Sequence, residues 1–123
     1  DWQSTQPETR AYILNQAADL YEANSGEIFA VLCREAGKTP LDAVAEIREA
    51  VDFLRYYAAQ ATHLGDQPAR GIISCISPWN FPLAIFTGQI SAALAAGKEV
   101  RYFRSGCGTY PIMKHVMLRR EPD

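Results

Sequence analysis

The chain has 123 residues, about one domain, enough to bury a modest core. Its 48% hydrophobic and 21% charged residues exclude a disordered tail, and no apolar run approaches the roughly 18 residues that cross a bilayer. The net charge of −2 is uneven: residues 1–97 carry six Lys/Arg against eleven Asp/Glu, residues 98–123 six against three. The basic residues of the tail are scattered without a shared face, which argues against nucleic acid as a partner.

The start, Asp1-Trp2-Gln3-Ser4-Thr5, has no basic segment, no apolar stretch and no initiator methionine, so the chain reads as beginning inside a longer protein with no signal peptide in view. Thr5-Gln6-Pro7-Glu8 then reads as a helix start, with proline in the first turn and an acid near the positive end of the dipole. Ile13, Leu14, Ala17, Ala18 and Tyr21 recur at helical spacing. Asn24-Ser25-Gly26 breaks the run. Ser25 is placed to cap a second, short helix with Ile28, Val31 and Leu32 facing inward, ended by Gly37.

Thr39-Pro40-Leu41-Asp42 opens a third, longer helix, expected to end near His63-Leu64-Gly65. Val44, Ile47, Val51, Leu54, Ala58 and Ala61 form a narrow apolar stripe, and Glu46, Arg48, Glu49, Asp52 and Arg55 read as mostly its solvated side. A loop follows over residues 65–71. The apolar run Gly71-Ile72-Ile73-Ser74-Cys75 reads as a short buried strand and residues 83–96 as a helix stopping at Gly97. Glu99-Val100-Arg101-Tyr102-Phe103 reads as a second strand that completes a βαβ unit with a right-handed crossover. Residues 105–111 have turn composition, and residues 112–120 suit one short helix. The fold class is α/β: N-terminal helices followed by a partial Rossmann-like βαβ unit, one half of an open sheet.

Ile76-Ser77-Pro78-Trp79-Asn80-Phe81-Pro82, between that first strand and its helix, is the most informative stretch. Its two prolines leave the intervening tripeptide few backbone conformations. Strand-to-helix turns are also where open α/β sheets bind ligands. Asn80 can aim an amide N–H at a developing oxyanion, or it can cap the helix that begins near Pro82. Trp79 can be a core filler or a platform for a cofactor. The three cysteines, Cys33, Cys75 and Cys107, are widely spaced and form no CxxC pair, which argues against a disulfide framework or zinc site and for a reducing, cytoplasmic setting. His63 and His115 stand alone, so no metal is expected. Cys75 reads as inert packing, and Cys107 has no spaced His/Asp partner to make it a nucleophile. Neither GxGxxG nor GxxxxGK[ST] occurs.

Residues 71–97, from Gly71 through Pro78-Trp79-Asn80-Phe81-Pro82 and Gly88-Gln89-Ile90 to Ala95-Ala96-Gly97, resemble the aldehyde dehydrogenase superfamily. Phe86-Thr87-Gly88-Gln89-Ile90 resembles one subgroup, the 1-pyrroline-5-carboxylate dehydrogenase module of bacterial bifunctional proline utilisation proteins. Arg34-Glu35-Ala36-Gly37-Lys38-Thr39 and Ala50-Val51-Asp52-Phe53-Leu54-Arg55-Tyr56-Tyr57 are similar to the family's N-terminal helical region. The resemblance spans about residues 7–97 and makes residues 1–97 the N-terminal part of an NAD-binding domain. It implies that Asn80 helps to form the oxyanion hole, and that Ile76, Ser77, Pro78 and Trp79 line the site of NAD. Family members attack an aldehyde with a cysteine thiolate, pass hydride to NAD, and release the acid with a glutamate-activated water. In the subgroup the aldehyde is glutamate semialdehyde, in equilibrium with the cyclic pyrroline carboxylate, and the full-length enzyme is expected to be a homo-oligomer.

Departures from the family pattern begin after Gly97. The family continues with Asn, an apolar strand and Lys-Pro, whose lysine contacts the adenosine ribose; Lys98-Glu99-Val100-Arg101-Tyr102-Phe103-Arg104 stands here, with Phe103 in the lysine's place. Residues 98–123 are therefore a divergent tail, frameshifted or unrelated, and Cys107 is not in the family's nucleophile motif. The expectation is a fragment of an NAD-dependent 1-pyrroline-5-carboxylate dehydrogenase, inactive alone; the alternative is a non-catalytic interaction domain or a pseudogene-like remnant on the same scaffold.

Overall fold

The computed structural model describes residues 2–64 and 71–104, and at positions 99 and 101–104 the backbone alone. The expected loop at 65–70, the turn and helix expected beyond residue 104, Cys107 and His115 lie outside the described residues. A 3₁₀ turn at Trp2–Ser4 leads into three helices, α1 (Pro7–Ala23), α2 (Ser25–Glu35) and α3 (Pro40–Ala61). Strand β1 (Ile72–Ser77), helix α4 (Ala84–Ala95) and strand β2 (Glu99–Arg104) follow. The two strands pair in parallel, with Ile72 opposite Glu99 and Ser77 opposite Arg104.

Local chemistry accounts for most helix ends. Pro7 and Pro40 each stand in a first turn, where the absent N–H has no partner to lose. Thr39 caps α3: its hydroxyl accepts from the Asp42 N–H at 3.2 Å and donates to the Asp42 carboxylate at 2.7 Å. The α1–α2 junction differs from expectation. Asn24 holds the cap position between the two helices and Ser25 is already helical; the Asn24 amide donates back to the Leu20 carbonyl at 2.8 Å. A carboxamide reaching one turn back spares the chain a wider break. Gly37 ends α2 as expected, at a φ of +64° that L side chains rarely adopt.

Helix α3 is the central element, packing on α1, α2 and α4. Leu14 and Ala18 of α1 meet Val51, Leu54, Ala58 and Ala61 of α3 and Ala95 of α4 in one apolar cluster. Ile28 and Leu32 of α2 meet Ala43, Ile47 and Ala50 of α3 and Leu83 in another. The many alanines let the backbones approach closely, and a Cβ on Gly88 of α4 would stand 3.0 Å from the Phe53 ring of α3.

Two positions on α3 reverse their expected sides. Val44 is exposed, whereas Glu46, assigned to the solvated side by its polarity, is buried at 2% exposure. Glu46 falls one turn after Ala43 and one turn before Ala50, both fully buried, so the inward face is wider than the apolar stripe and includes a carboxylate. Strand β1 is likewise only half buried: Cys75 and Ser77 point inward, while Ile72, Ile73 and Ile76 are exposed. Helix α4 packs on β1, and among the described residues no layer covers the opposite face.

Helix α4 carries no acid in its first turn, no base in its last and no side-chain cap of its own. Other elements hold its ends. At the C-terminus, buried Arg10 of α1 donates from Nε to the Ala95 carbonyl at 3.1 Å and from Nη1 to the Thr5 carbonyl. Trp2 donates its indole N–H to the Leu94 carbonyl at 3.0 Å. A cation at the negative end of a helix satisfies carbonyls that have no partner within it. Replacing Arg10 by Met, which keeps the stem and removes the donors, is expected to lower stability by about 2 kcal/mol, read as a shifted urea midpoint with an unchanged m-value.

Candidate functional site at the turn between β1 and α4

The turn from Pro78 to Leu83 leaves the carboxyl end of β1 and enters α4. Glu46 fixes its far end. One carboxylate oxygen, Oε2, accepts the Leu83 N–H at 3.0 Å and the Ala84 N–H at 2.8 Å, so α3 supplies the N-terminal cap that α4 lacks. The other oxygen, Oε1, pairs with Lys38 Nζ at 2.8 Å. Charge and dipole both favour the arrangement: a carboxylate faces the positive end of a helix, and a cation offsets its burial. At the near end, Gln89 of α4 donates to the Ile76 carbonyl at 3.2 Å.

With Glu46 as the cap, Asn80 is not one. It is exposed, and its carboxamide makes no hydrogen bond to any described residue; its backbone carbonyl accepts from Lys38 Nζ at 2.7 Å. Trp79, 66% exposed, is no core filler. Phe81 is 41% exposed and lies under the Lys38 ammonium, 4.3 Å from its ring centroid. Lys38, Glu46, Trp79, Asn80 and Phe81 line one pocket of about 340 Å³, rimmed by Asp42 and Glu49.

The four residues expected at the cofactor differ in exposure. Within the strand Ile76 is 63% exposed and Ser77 is enclosed at 2%, as alternation requires, and beyond it Pro78 is partly exposed and Trp79 exposed. A larger groove of about 620 Å³ between α2 and α3, bordered by Phe29, Ile47 and Val51, includes none of the expected site residues. Among the described residues no three His, Cys, Asp or Glu side chains gather as metal ligands do, and no helix is long and apolar enough to cross a membrane.

Sequence reasoning found the turn and missed the two charges that hold it. A signal for Glu46 was present in its spacing from Ala43 and Ala50. Lys38 follows the glycine that ends α2, and nothing local to it points to a turn more than forty residues away.

The sequence profile of the aldehyde dehydrogenase family matches residues 1–101, and the chain belongs to that family. It is 56% identical over 102 residues to the bifunctional protein PutA of Klebsiella aerogenes, a match covering 80% of this chain and 8% of that protein. It is 40% identical over 114 residues to the 1-pyrroline-5-carboxylate dehydrogenase of Anoxybacillus flavithermus, covering 80% of this chain and 22% of the relative. A crystal structure of a Bradyrhizobium japonicum proline utilization A (PutA) variant superposes with a TM-score of 0.87 at 43% identity, over 95% of this chain and 14% of that one. The chain therefore spans a small part of the relatives it matches.

Burial pushes the Cys75 thiol above its ordinary pKa, and burial likewise raises the Tyr21 phenol, an effect its hydrogen bond with Thr87 at 3.4 Å offsets in part. Both groups keep their protons in the folded state to higher pH than in the unfolded chain. Their contribution to stability is complete below the ordinary thiol range and is lost as pH rises from about 9, where the unfolded state binds fewer protons. Thermal midpoints recorded from pH 7 to 11 should fall across that window, and iodoacetamide at pH 8.5 should spare Cys75 until denaturant is added.

Proposed function

We propose that the chain is part of an NAD-dependent 1-pyrroline-5-carboxylate dehydrogenase of proline catabolism, and that its turn supplies the oxyanion-stabilising amide and part of the cofactor surface. One observation carries the reading: the capping work that Asn80 would otherwise do is done by Glu46, which leaves an exposed carboxamide on a doubly anchored turn. A donor held before charge develops costs no reorganisation when it does, which is the requirement for stabilising an oxyanion. In this role Asn80 Nδ2 donates to the aldehyde oxygen as that oxygen gains charge. The names of the relatives, bifunctional PutA and 1-pyrroline-5-carboxylate dehydrogenase, support glutamate semialdehyde as the aldehyde.

The residues present fit a nicotinamide cofactor in part. Ile76, Pro78 and Trp79 offer apolar surface at the carboxyl end of a parallel strand, within a strand–helix–strand unit. Ser77 takes part through its backbone alone, because its side chain is enclosed on the opposite face. NAD, when bound, supplies the hydride acceptor.

The nucleophile belongs to parts of the enzyme other than the described residues. Cys75 is buried with its thiol held protonated, and Cys33 is half-buried on α2. The 123-residue chain alone is therefore expected to show no NAD-dependent oxidation of glutamate semialdehyde and weak or absent NAD binding by calorimetry. In a dehydrogenase of full family length that contains this segment, Asn80→Ala should lower kcat by roughly 10²–10³ with little change in NAD affinity. Unchanged turnover in that variant would remove Asn80 from the mechanism.

A further inference from the structure

We propose that Lys38 is a positioning residue for Asn80: its ammonium ties the Asn80 carbonyl to the Glu46 carboxylate and so sets the direction in which the turn presents its carboxamide. The inference rests on the oxyanion reading for its catalytic meaning, but the tie itself is a separate physical claim.

The chain reaches this arrangement from its local structure. Gly37, at a φ of +64°, turns the backbone out of α2. The Lys38 N–H then bonds to the Leu32 carbonyl at 3.2 Å, which fixes the base of the side chain before α3 begins. From that base the stem reaches a largely enclosed place, with the side chain 12% exposed. The ammonium has three neighbours there. It donates to the Asn80 carbonyl at 2.7 Å, pairs with Glu46 Oε1 at 2.8 Å and lies over the Phe81 ring at 4.3 Å.

The two grips divide the turn between them. Glu46 Oε2 holds the N–H groups of Leu83 and Ala84, where the helix starts. Lys38 holds the carbonyl of Asn80, three residues before Leu83. Among the described residues no other side chain hydrogen-bonds to residues 79–81. Without Lys38 the turn keeps its anchor at Leu83 and loses the one at Asn80, so the peptide after Asn80 gains freedom to rotate while α4 stays capped. A carboxamide on an unanchored peptide samples more directions, and a misplacement of about 1 Å is enough to weaken an oxyanion donor. A charged donor to a backbone carbonyl is among the stronger hydrogen bonds, and partial enclosure protects it from competing water.

The test uses the 123-residue chain, isotopically labelled, with backbone amide and carbonyl shifts read residue by residue by NMR. Lys38→Met keeps the stem and removes the charge; it should move the Asn80 carbonyl resonance and the amide resonances of residues 79–81, while those of α1 keep their parent positions. Lys38→Arg, which still donates, should leave the Asn80 carbonyl closer to its parent position than Lys38→Met does. Shift changes spread evenly through the chain in Lys38→Met, or none at residues 79–81, would overturn the proposal. Should Lys38→Met fail to fold, Lys38→Gln takes its place: a moved Asn80 carbonyl with changes confined to residues near the turn supports the tie, and an unmoved resonance overturns it. Asn80→Ala in the same chain removes the carboxamide and keeps the carbonyl, and should leave the Lys38 tie in place. Failure of the oxyanion reading would thus appear in Asn80 variants of the full-length enzyme, and failure of the tie in these spectra.

Discussion

A single buried carboxylate governs how the strand–helix unit sits on the helices before it. Helix α4 has no charge and no side-chain cap of its own at either end, so its ends are held by groups from other elements. Glu46, projecting from α3, holds the first by accepting the N–H groups of Leu83 and Ala84. Taking a carboxylate out of water is expensive, and it persists here because two backbone donors and the Lys38 ammonium share the charge. Arg10 of α1 does the opposite work at the other end, where its guanidinium donates to the Ala95 carbonyl. The helix is held between an anion at its positive end and a cation at its negative end, both from other elements.

That arrangement has a chemical consequence for the turn ahead of α4. A strand-to-helix junction normally uses a local Ser, Thr, Asp or Asn as its cap. Because Glu46 performs this task from α3, the local asparagine is left exposed on a turn fixed by distant charges, and Trp79 projects beside it. In the function proposed above that amide is the oxyanion donor, and its exposure leaves it available for the task.

Much of the architecture was legible from local pattern. Pro7 and the run Thr39-Pro40-Leu41-Asp42 marked helix starts, and the stripe through Ile47, Val51, Leu54 and Ala58 gave the buried side of α3. The bounds of α4 followed from the second proline of the turn and from Gly97, which sits at a φ of +69°, whereas β1 runs two residues further than expected and takes in Ile76 and Ser77. What resisted local reading was set by tertiary partners. Glu46 was assigned by polarity to the solvated side, although its distance from Ala43 and Ala50 places it inside. Ser25 looked like a cap, and Asn24 took the position because its carboxamide reaches Leu20. Strand β1 looked buried throughout, yet Ile72, Ile73 and Ile76 lie on a face that no described layer covers. Of the candidate site, the turn was visible as a motif, but that Asn80 is exposed and does not cap α4 depended on α3 and was visible only in three dimensions.

The most direct measurement of whether Glu46 organises this junction is amide hydrogen exchange in the Glu46→Gln chain, which keeps the shape and removes the charge. The account predicts a loss of about 2 kcal/mol in global stability and a loss of protection at Leu83 and Ala84 in excess of that global change. Unchanged stability with full protection at those two amides would contradict it.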